Sequence, residues 1–292
     1  MRIIGKILGI NSSDGGINIL VADEHQTQFN IKTTNGEGFI VGRIYAFEVT
    51  KVIAERVSYQ LDSFISVEGL EPTESDTILR SFLAGSPVSY QEAKQFIYSI
   101  VEELKNPVIR NITKGILDKF SDKFFLYPAA TKMHHAYVGG LAYHALGMLK
   151  LAEAFIINYP YLNRDYLMAG IILHDIGKTI ELTGIQGTEY TLDGQLLGHL
   201  VIGALEISKM AEGLGYGNRP EVKMLEHMLI SHHGQPQFGA AKRPITPEAI
   251  ALWYIDTIDS KFRVLGEELQ KTAPNSFTDT IGVLDKTKVY KE

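Results

Sequence analysis

The sequence predicts a two-part α+β chain, a small all-β module followed by an all-helical bundle, on three observations. The first seventy or so residues are short runs rich in Val, Ile, Phe and Tyr, separated by turn-forming stretches. From about Thr77 onward the apolar residues recur with helical spacing instead. Histidine is concentrated in that second part, where eight of the nine fall between positions 134 and 233.

Five strands are expected, at Ile3 to Ile10, Ile17 to Asp23, Gln28 to Thr33, Arg43 to Val52 and Ser58 to Val67. Asn11-Ser12-Ser13-Asp14-Gly15-Gly16, Asp23-Glu24 and Asn35-Gly36-Glu37-Gly38 supply turns between several of them. Five short strands broken in this way imply a small closed barrel or a sandwich. Residues 71–77 are polar and contain Pro72, so they read as a linker. The module is therefore placed at 1–70, the helical domain at 78–275 and a polar, surface-lying tail at 276–292.

Glu92 to Leu104 and Val108 to Phe120 have amphipathic spacing. Leu141, Ala145, Met148, Ala152 and Phe155 form one buried stripe of a further helix; Leu167, Ile171 and His174 form another, stopped by Gly177. Leu196 to Met210, Pro220 to His232 and Pro247 to Leu269 complete the bundle, with a break at Gly213, Gly215 and Gly217.

Composition narrows the function classes. The chain holds 45% hydrophobic and 21% charged residues, ordinary for a globular protein. It has no cysteine, which excludes a disulfide framework and a thiolate metal site. Its uninterrupted apolar runs, such as Met168 to Leu173, are too short to span a bilayer, and its N-terminus alternates like a strand instead of resembling a signal peptide. These features predict a cytoplasmic protein with no membrane partner. The net charge of −6 counts against general duplex binding, which needs a basic surface, but leaves room for an enzyme acting on single strands.

The histidines carry the chemistry. His144 shares a helical face with Leu141 and Met148, and His174 ends the stripe through Leu167 and Ile171. His199 lies three residues after Leu196, His232 seven after Leu225, and Asp256 and Asp259 follow Leu252 at i+4 and i+7. Several helices thus aim a nitrogen or an oxygen at one interior. One inward histidine is ordinarily a hydrogen-bonded core residue. Five or six inward polar groups would each cost roughly several kcal/mol without a partner, and a shared cation is the cheapest partner. His227 is better read as a core or surface residue. Imidazole and carboxylate without sulfur suit Mn²⁺, Fe, Co²⁺, Zn²⁺ or Mg²⁺. Two such ions activate water and stabilise the leaving oxygen of a phosphoester, and Asp175 is the best residue to bridge them.

The order His144, His174-Asp175, Asp256, with Leu173-His174-Asp175-Ile176-Gly177-Lys178 at its centre, resembles the HD-domain phosphohydrolases. His199 and His232-His233 look like the ligands added in dinuclear members. A longer resemblance, through Pro128-Ala129-Ala130, His134-His135, Gly139-Gly140-Leu141, Gly198-His199-Leu200 and Ser231-His232-His233-Gly234, is to the YhaM-type 3′→5′ exoribonucleases. That family places an OB-type nucleic-acid-binding barrel before the HD domain. The resemblance implies single-stranded RNA as substrate, single-stranded DNA as a second candidate, and Mn²⁺ or a similar divalent ion. It implies His144, His174, Asp175 and Asp256 for a first metal, and His199, His232 and Asp175 for a second. His233 is then a ligand or a phosphate contact. Of the two late aspartates Asp256 is preferred, because it follows the apolar Ile255, and Asp259 would hold a ligand in place. Where the family often carries Glu before its first histidine, this chain has Tyr143.

Around this set, Lys178 is either a substrate-phosphate contact and proton donor or a solvated helix-end lysine. Lys132, His134 and His135 precede the first ligand helix and are candidates for the entrance; Arg243 and Arg263 are candidates for tracking phosphates. In the β module Phe29, Phe39, Tyr45, Phe47, Tyr59 and Phe64 offer rings for base stacking, although most must form the core of so small a barrel. Charge gives that module's RNA-binding role no support, with six Lys or Arg against eight Asp or Glu in residues 1–70. The leading expectation is a 3′→5′ exoribonuclease. A nucleotide or cyclic-nucleotide HD phosphohydrolase with a regulatory barrel is the second reading. A nucleic-acid-binding protein with a degenerate HD domain and a di-iron oxygenase follow. A homo-oligomer is left open.

Overall fold

The computed structural model describes residues 1–13, 16–53, 57–130 and 137–292. The five expected strands form within a few residues of their expected bounds: β1 (Arg2–Ser13), β2 (Gly16–Ala22), β3 (Gln28–Thr33), β4 (Ile44–Ile53) and β5 (Val57–Ser66). They close a barrel in the order β1-β2-β3-β5-β4. β4 closes antiparallel on β1, from Arg2 opposite Glu48 to Lys6 opposite Ile44, and β3 pairs parallel with β5. This resolves the choice between barrel and sandwich as a five-stranded OB-like barrel. Strand alternation sends Ile3, Ile7, Ile19, Val21, Ile31, Tyr45, Phe47 and Val49 inward to fill it. Bulges between Ile7 and Gly9 and between Glu48 and Val49 give the long strands the bend that closure needs.

The stretch expected to be a linker is mostly helix. α1 (Pro72–Phe82) starts there, and Ser75 and Asp76 are buried. Pro72 marks a helix start because a first-turn residue has no intrahelical partner for its N–H. Glu74 in the first turn and Arg80 in the last complement the helix dipole.

α2 (Tyr90–Glu102) opens on a reciprocal Ser89–Glu92 capping box, and the Asn106 side chain caps α3 (Pro107–Leu126). α4 (Gly140–Asn158), α5 (Arg164–Leu173), the short α6 (Lys178–Glu181), α7 (Leu192–Gly213), α8 (Pro220–Ser231) and α9 (Pro247–Lys271) follow. α5 is the centre of the bundle, with every residue from Leu167 to Leu173 buried. Helices α2, α3, α4, α8 and α9 all pack on it. α4 is long and apolar enough to cross a membrane, with a mean hydropathy of 1.3 over 18 residues, and ten of its residues are buried against the rest of the bundle.

The barrel is joined to the bundle through shared packing. Ile44 and Val67 belong to the helical core. The Glu68 carboxylate accepts from the backbone N–H groups of Ile185 and Gln186 at 3.2 and 3.1 Å, and the Gln186 side-chain oxygen accepts from Ile44 N–H at 2.6 Å. The tail is more ordered than its polarity implies. β6 (Ser276–Phe277) pairs with β7 (Tyr290–Lys291). Lys291 Nζ donates to the Leu269 and Thr272 carbonyls at 2.8 Å each, at the end of α9 where terminal carbonyls lack intrahelical donors.

Candidate metal centre

Two histidines are placed by the same local device. His174 caps the C-terminus of α5 and donates Nδ1–H to the Ile171 carbonyl at 2.7 Å. His232 caps α8 and donates Nδ1–H to the Leu229 carbonyl at 2.7 Å. A carbonyl oxygen only accepts, so each ring carries a proton on Nδ1 and leaves Nε2 as the atom that can offer a lone pair. Both helices thereby satisfy an orphan terminal carbonyl and fix a ring in one step.

His199 is placed by a kink. Gly198 adopts φ 73° and ψ 157° inside α7, a conformation open to glycine, and the chain restarts as helix behind it. Glu181, at the end of α6, accepts from both His199 backbone N–H and its Nδ1, at 3.0 and 3.1 Å. His233 donates Nδ1–H to the Phe238 carbonyl at 2.8 Å. A histidine held through Nδ1 by a carboxylate or carbonyl, with Nε2 left for a cation, is the usual support of a metal-binding imidazole.

These rings converge on Asp175. Its Oδ2 lies 3.3 Å from His174 Nε2; its Oδ1 lies 3.3 Å from His199 Nε2 and 3.8 Å from His232 Nε2. Imidazole lone pairs facing carboxylate oxygens repel one another unless something positive lies between. His174 Nε2, His199 Nε2 and Asp175 Oδ1 are buried without a hydrogen-bond partner, a costly condition for polar atoms. The donor set therefore fits divalent cations. His144, His174 and Asp256 offer one group of converging ligand atoms, and His199, His232 and His233 another.

Electrostatics agree with this. Burial opposes ionisation of Asp175, but the Lys178 ammonium leads the charges that outweigh it and hold the carboxyl well below its ordinary range. Lys178 Nζ donates to Asp175 Oδ2 at 2.6 Å, and this contact keeps the lysine charged despite burial. Burial drives His232 well below the usual histidine range, so its ring is neutral. His144 is the opposite case. Burial disfavours its charge, yet hydrogen bonds to Asp256 and Asp259 raise it to about 9. Its Nε2 lies 3.1 Å from Asp256 Oδ1 and its Nδ1 lies 2.8 Å from Asp259 Oδ2. A cation at Asp256 would displace the Nε2 proton and leave Asp259 holding the ring.

A cavity of about 210 Å³ opens onto the set, lined by His144, Asp175, Lys178, His232, His233 and Asp256, with Ala129, Ala130 and Ser260 completing the wall. Asp259 is absent from that wall. Arg263, expected to track phosphates, is turned away from it. It pairs with Asp259 at 3.4 Å, and its guanidinium sits 4.0 Å above the Tyr143 ring. The i, i+4 carboxylate on its own helix captured it. Arg243 is exposed and is not part of the cavity wall. Lys132, His134 and His135 lie outside the described residues. In the barrel Tyr45 and Phe47 are core, while Phe64 is exposed and stacks 4.2 Å from Phe39.

Two contributors were not expected from the sequence. Ser260 lines the cavity and donates to Asp256 Oδ1 at 3.1 Å; its place one turn after Asp256 is a signal that was in view. Glu181 lies eighteen residues from the ring it holds, and only the fold brings them together. Replacing Glu181 with Ala should lower activity by roughly 10- to 100-fold, as for other residues that orient metal-binding histidines. Glu181→Gln, which keeps an acceptor oxygen, should lose less. Steady-state kinetics with metal content measured in parallel checks this, and equal rates in Glu181→Ala and the wild type would remove the residue from the site.

Comparison with known proteins follows the same lines. A family model described as the HD domain matches residues 141–261. The 3′-5′ exoribonuclease YhaM of Geobacillus sp. (strain WCH70) is 41% identical over 245 residues, covering 83% of this chain and 75% of that protein. The proteins of the same name from Bacillus licheniformis and Bacillus subtilis (strain 168) are each 39% identical over 245 residues, covering 83% of this chain and 78% of theirs. No solved structure matches the chain. An HD-type ligand order on the helices, an OB-like barrel before it and identity of this extent over most of both chains place the protein in the YhaM family of HD-domain 3′-5′ exoribonucleases.

Proposed function

We propose that this protein is a metal-dependent exoribonuclease that shortens single-stranded RNA from its 3′ end, with single-stranded DNA as a second substrate. The observation that carries the reading is the buried, unpartnered set His174 Nε2, His199 Nε2 and Asp175 Oδ1 at a solvent-reached cavity. His144, His174, Asp175 and Asp256 would hold one divalent ion, and His199, His232 and Asp175 a second, with His233 beside it. Mn²⁺ is the first choice, and Fe, Co²⁺, Zn²⁺ and Mg²⁺ suit the same donors. When bound, such a pair supplies the Lewis acidity that makes water nucleophilic and offsets charge on the leaving oxygen.

The chain's own groups do the rest. Glu181 and the Ile171, Leu229 and Phe238 carbonyls fix four ring planes, so the donors need no reorganisation on binding. Lys178 places a cation on the cavity wall, where it attracts a phosphodiester and can donate a proton to the departing oxygen. Asp259 keeps His144 in one orientation through Nδ1.

The test is to incubate the full chain with 5′-labelled single-stranded RNA and Mn²⁺, with and without a chelator. Stepwise loss from the 3′ end that stops in chelator is expected; an intact RNA, or internal cuts alone, would overturn the reading. Binding has a thermal signature too. At a hundredfold excess over its Kd an ion adds about 2.7 kcal/mol. That should raise the thermal midpoint of a chain this size by roughly 4–5 °C. A midpoint unmoved by Mn²⁺ would argue against a metal centre.

A further inference from the structure

A second cavity, of about 600 Å³, adjoins the metal centre and shares His233, Asp256 and Ser260 with it. Its remaining wall includes the rings of Phe238, Trp253 and Tyr254 and the tail segment at Val283 and Asp285. We propose that this cavity seats the base of the strand's 3′-terminal nucleotide, with Phe238, Trp253 and Tyr254 as its stacking surface. The inference rests on the exoribonuclease reading and adds where the departing nucleotide lies.

Position is the first argument. A phosphodiester brought to the His–Asp set has its terminal base one ribose away, which is the distance of a neighbouring cavity and not of a remote groove. Ring chemistry is the second. Trp253 and Tyr254 stack on each other with centroids 4.8 Å apart and planes 27° apart, so together they form one rigid aromatic wall of the cavity. The indole is fixed against the backbone beside the histidine pair, since a Cβ on Gly234 would come within 2.0 Å of it. Every base has a π-face, so an aromatic wall accepts any terminal nucleotide, as an exonuclease that removes each base in turn requires. Phe238 is the third. It is 64% exposed, although its backbone is pinned at the end of the Pro236–Phe238 turn. Its carbonyl accepts from His233 Nδ1 at 2.8 Å, so a base resting on Phe238 bears directly on a ring of the metal centre. At the rim, Lys261 offers a cation for a phosphate and Asp285 an acceptor for ribose hydroxyls. An apolar peptide would leave both charges and the histidine mouth unused.

Trp253 is the only tryptophan in the chain, so its emission reports on the seat without any turnover. The full chain is titrated in chelator with an oligoadenylate RNA, and with the same RNA ending in an abasic ribose. The complete strand should change Trp253 emission and bind about tenfold or more tightly than the abasic strand, the scale of one stacked base. Phe238→Ala should erase most of that preference, and Phe238→Tyr should restore it. With Mn²⁺, Phe238→Ala should raise KM far more than it lowers kcat. Equal binding of the two strands, or an unchanged preference in Phe238→Ala, would overturn the seat even if the wild type shortens RNA normally. A terminal-base preference in chelator with no shortening in Mn²⁺ would support the seat and overturn the exoribonuclease.

Discussion

Asp175→Asn should fold and yet lose about 10³-fold or more in rate, which is what several kcal/mol of lost metal-centre stabilisation means. The side chain keeps its volume and one carbonyl oxygen, so packing against α5 and α6 is preserved. What disappears is the charge that makes Asp175 able to face three imidazoles at once, His174 through Oδ2 and His199 and His232 through Oδ1. Lys178 loses its 2.6 Å partner in the same change and becomes a buried cation with only the more distant Asp256 and Glu181 carboxylates to offset it. Removing one member of a buried pair costs more than the pair was worth, so some loss of stability accompanies the loss of rate. Single-turnover cleavage of RNA, circular dichroism and elemental analysis separate the effects. A folded Asp175→Asn within tenfold of wild-type rate would mean that the centre is not where the reaction occurs.

The barrel was readable because strand alternation and turn residues are local properties, and Ile3, Ile7, Ile19, Val21 and Ile31 all fell on the inward side as their spacing predicts. The inward facing of His144, His174 and His232 was readable for a related reason, since each ends or continues an apolar stripe that is buried in the core; His199 was not, because Leu196, three residues before it, is exposed and Gly198 breaks the helix between them. What escaped depends on contacts between distant segments or on the double meaning of proline. Pro72 in a polar stretch signals a turn or a helix start with equal force, and only the burial of Ser75 and Asp76 decides for α1. Glu181 reaches His199 because α7 breaks at Gly198, and no periodicity announces a break of that kind. Arg263 was misplaced for a different reason. Its partner Asp259, four residues back on the same helix, was in view, and a near carboxylate takes a guanidinium before a distant phosphate does.

Gly177→Ala should be nearly as damaging as losing a ligand, although residue 177 carries no chemistry. Its backbone is ordinary right-handed helix, φ −58° and ψ −24°, so alanine meets no torsional objection there. The obstacle is the crossing chain. A Cβ at 177 would stand 2.1 Å from the His199 carbonyl oxygen and 2.9 Å from the Gly203 nitrogen. Both neighbours are backbone and cannot rotate away, so α7 has to move and take His199 with it. Overpacking of this kind costs about 1–3 kcal/mol. A shift of about 1 Å in a positioned catalytic group costs about 10²-fold in rate. Gly266→Ala is the control, because it lies inside α9 with nothing within 4 Å of its added Cβ. There alanine should instead stabilise by about 0.5–1 kcal/mol, the ordinary gain within a helix. Thermal unfolding of both variants beside exonuclease rates tests the pair. If Gly177→Ala melts and turns over like Gly266→Ala, then α6 and α7 do not cross as closely as this, and the placement of His199 must rest on something other than the glycine in the His-Asp-Ile-Gly-Lys motif.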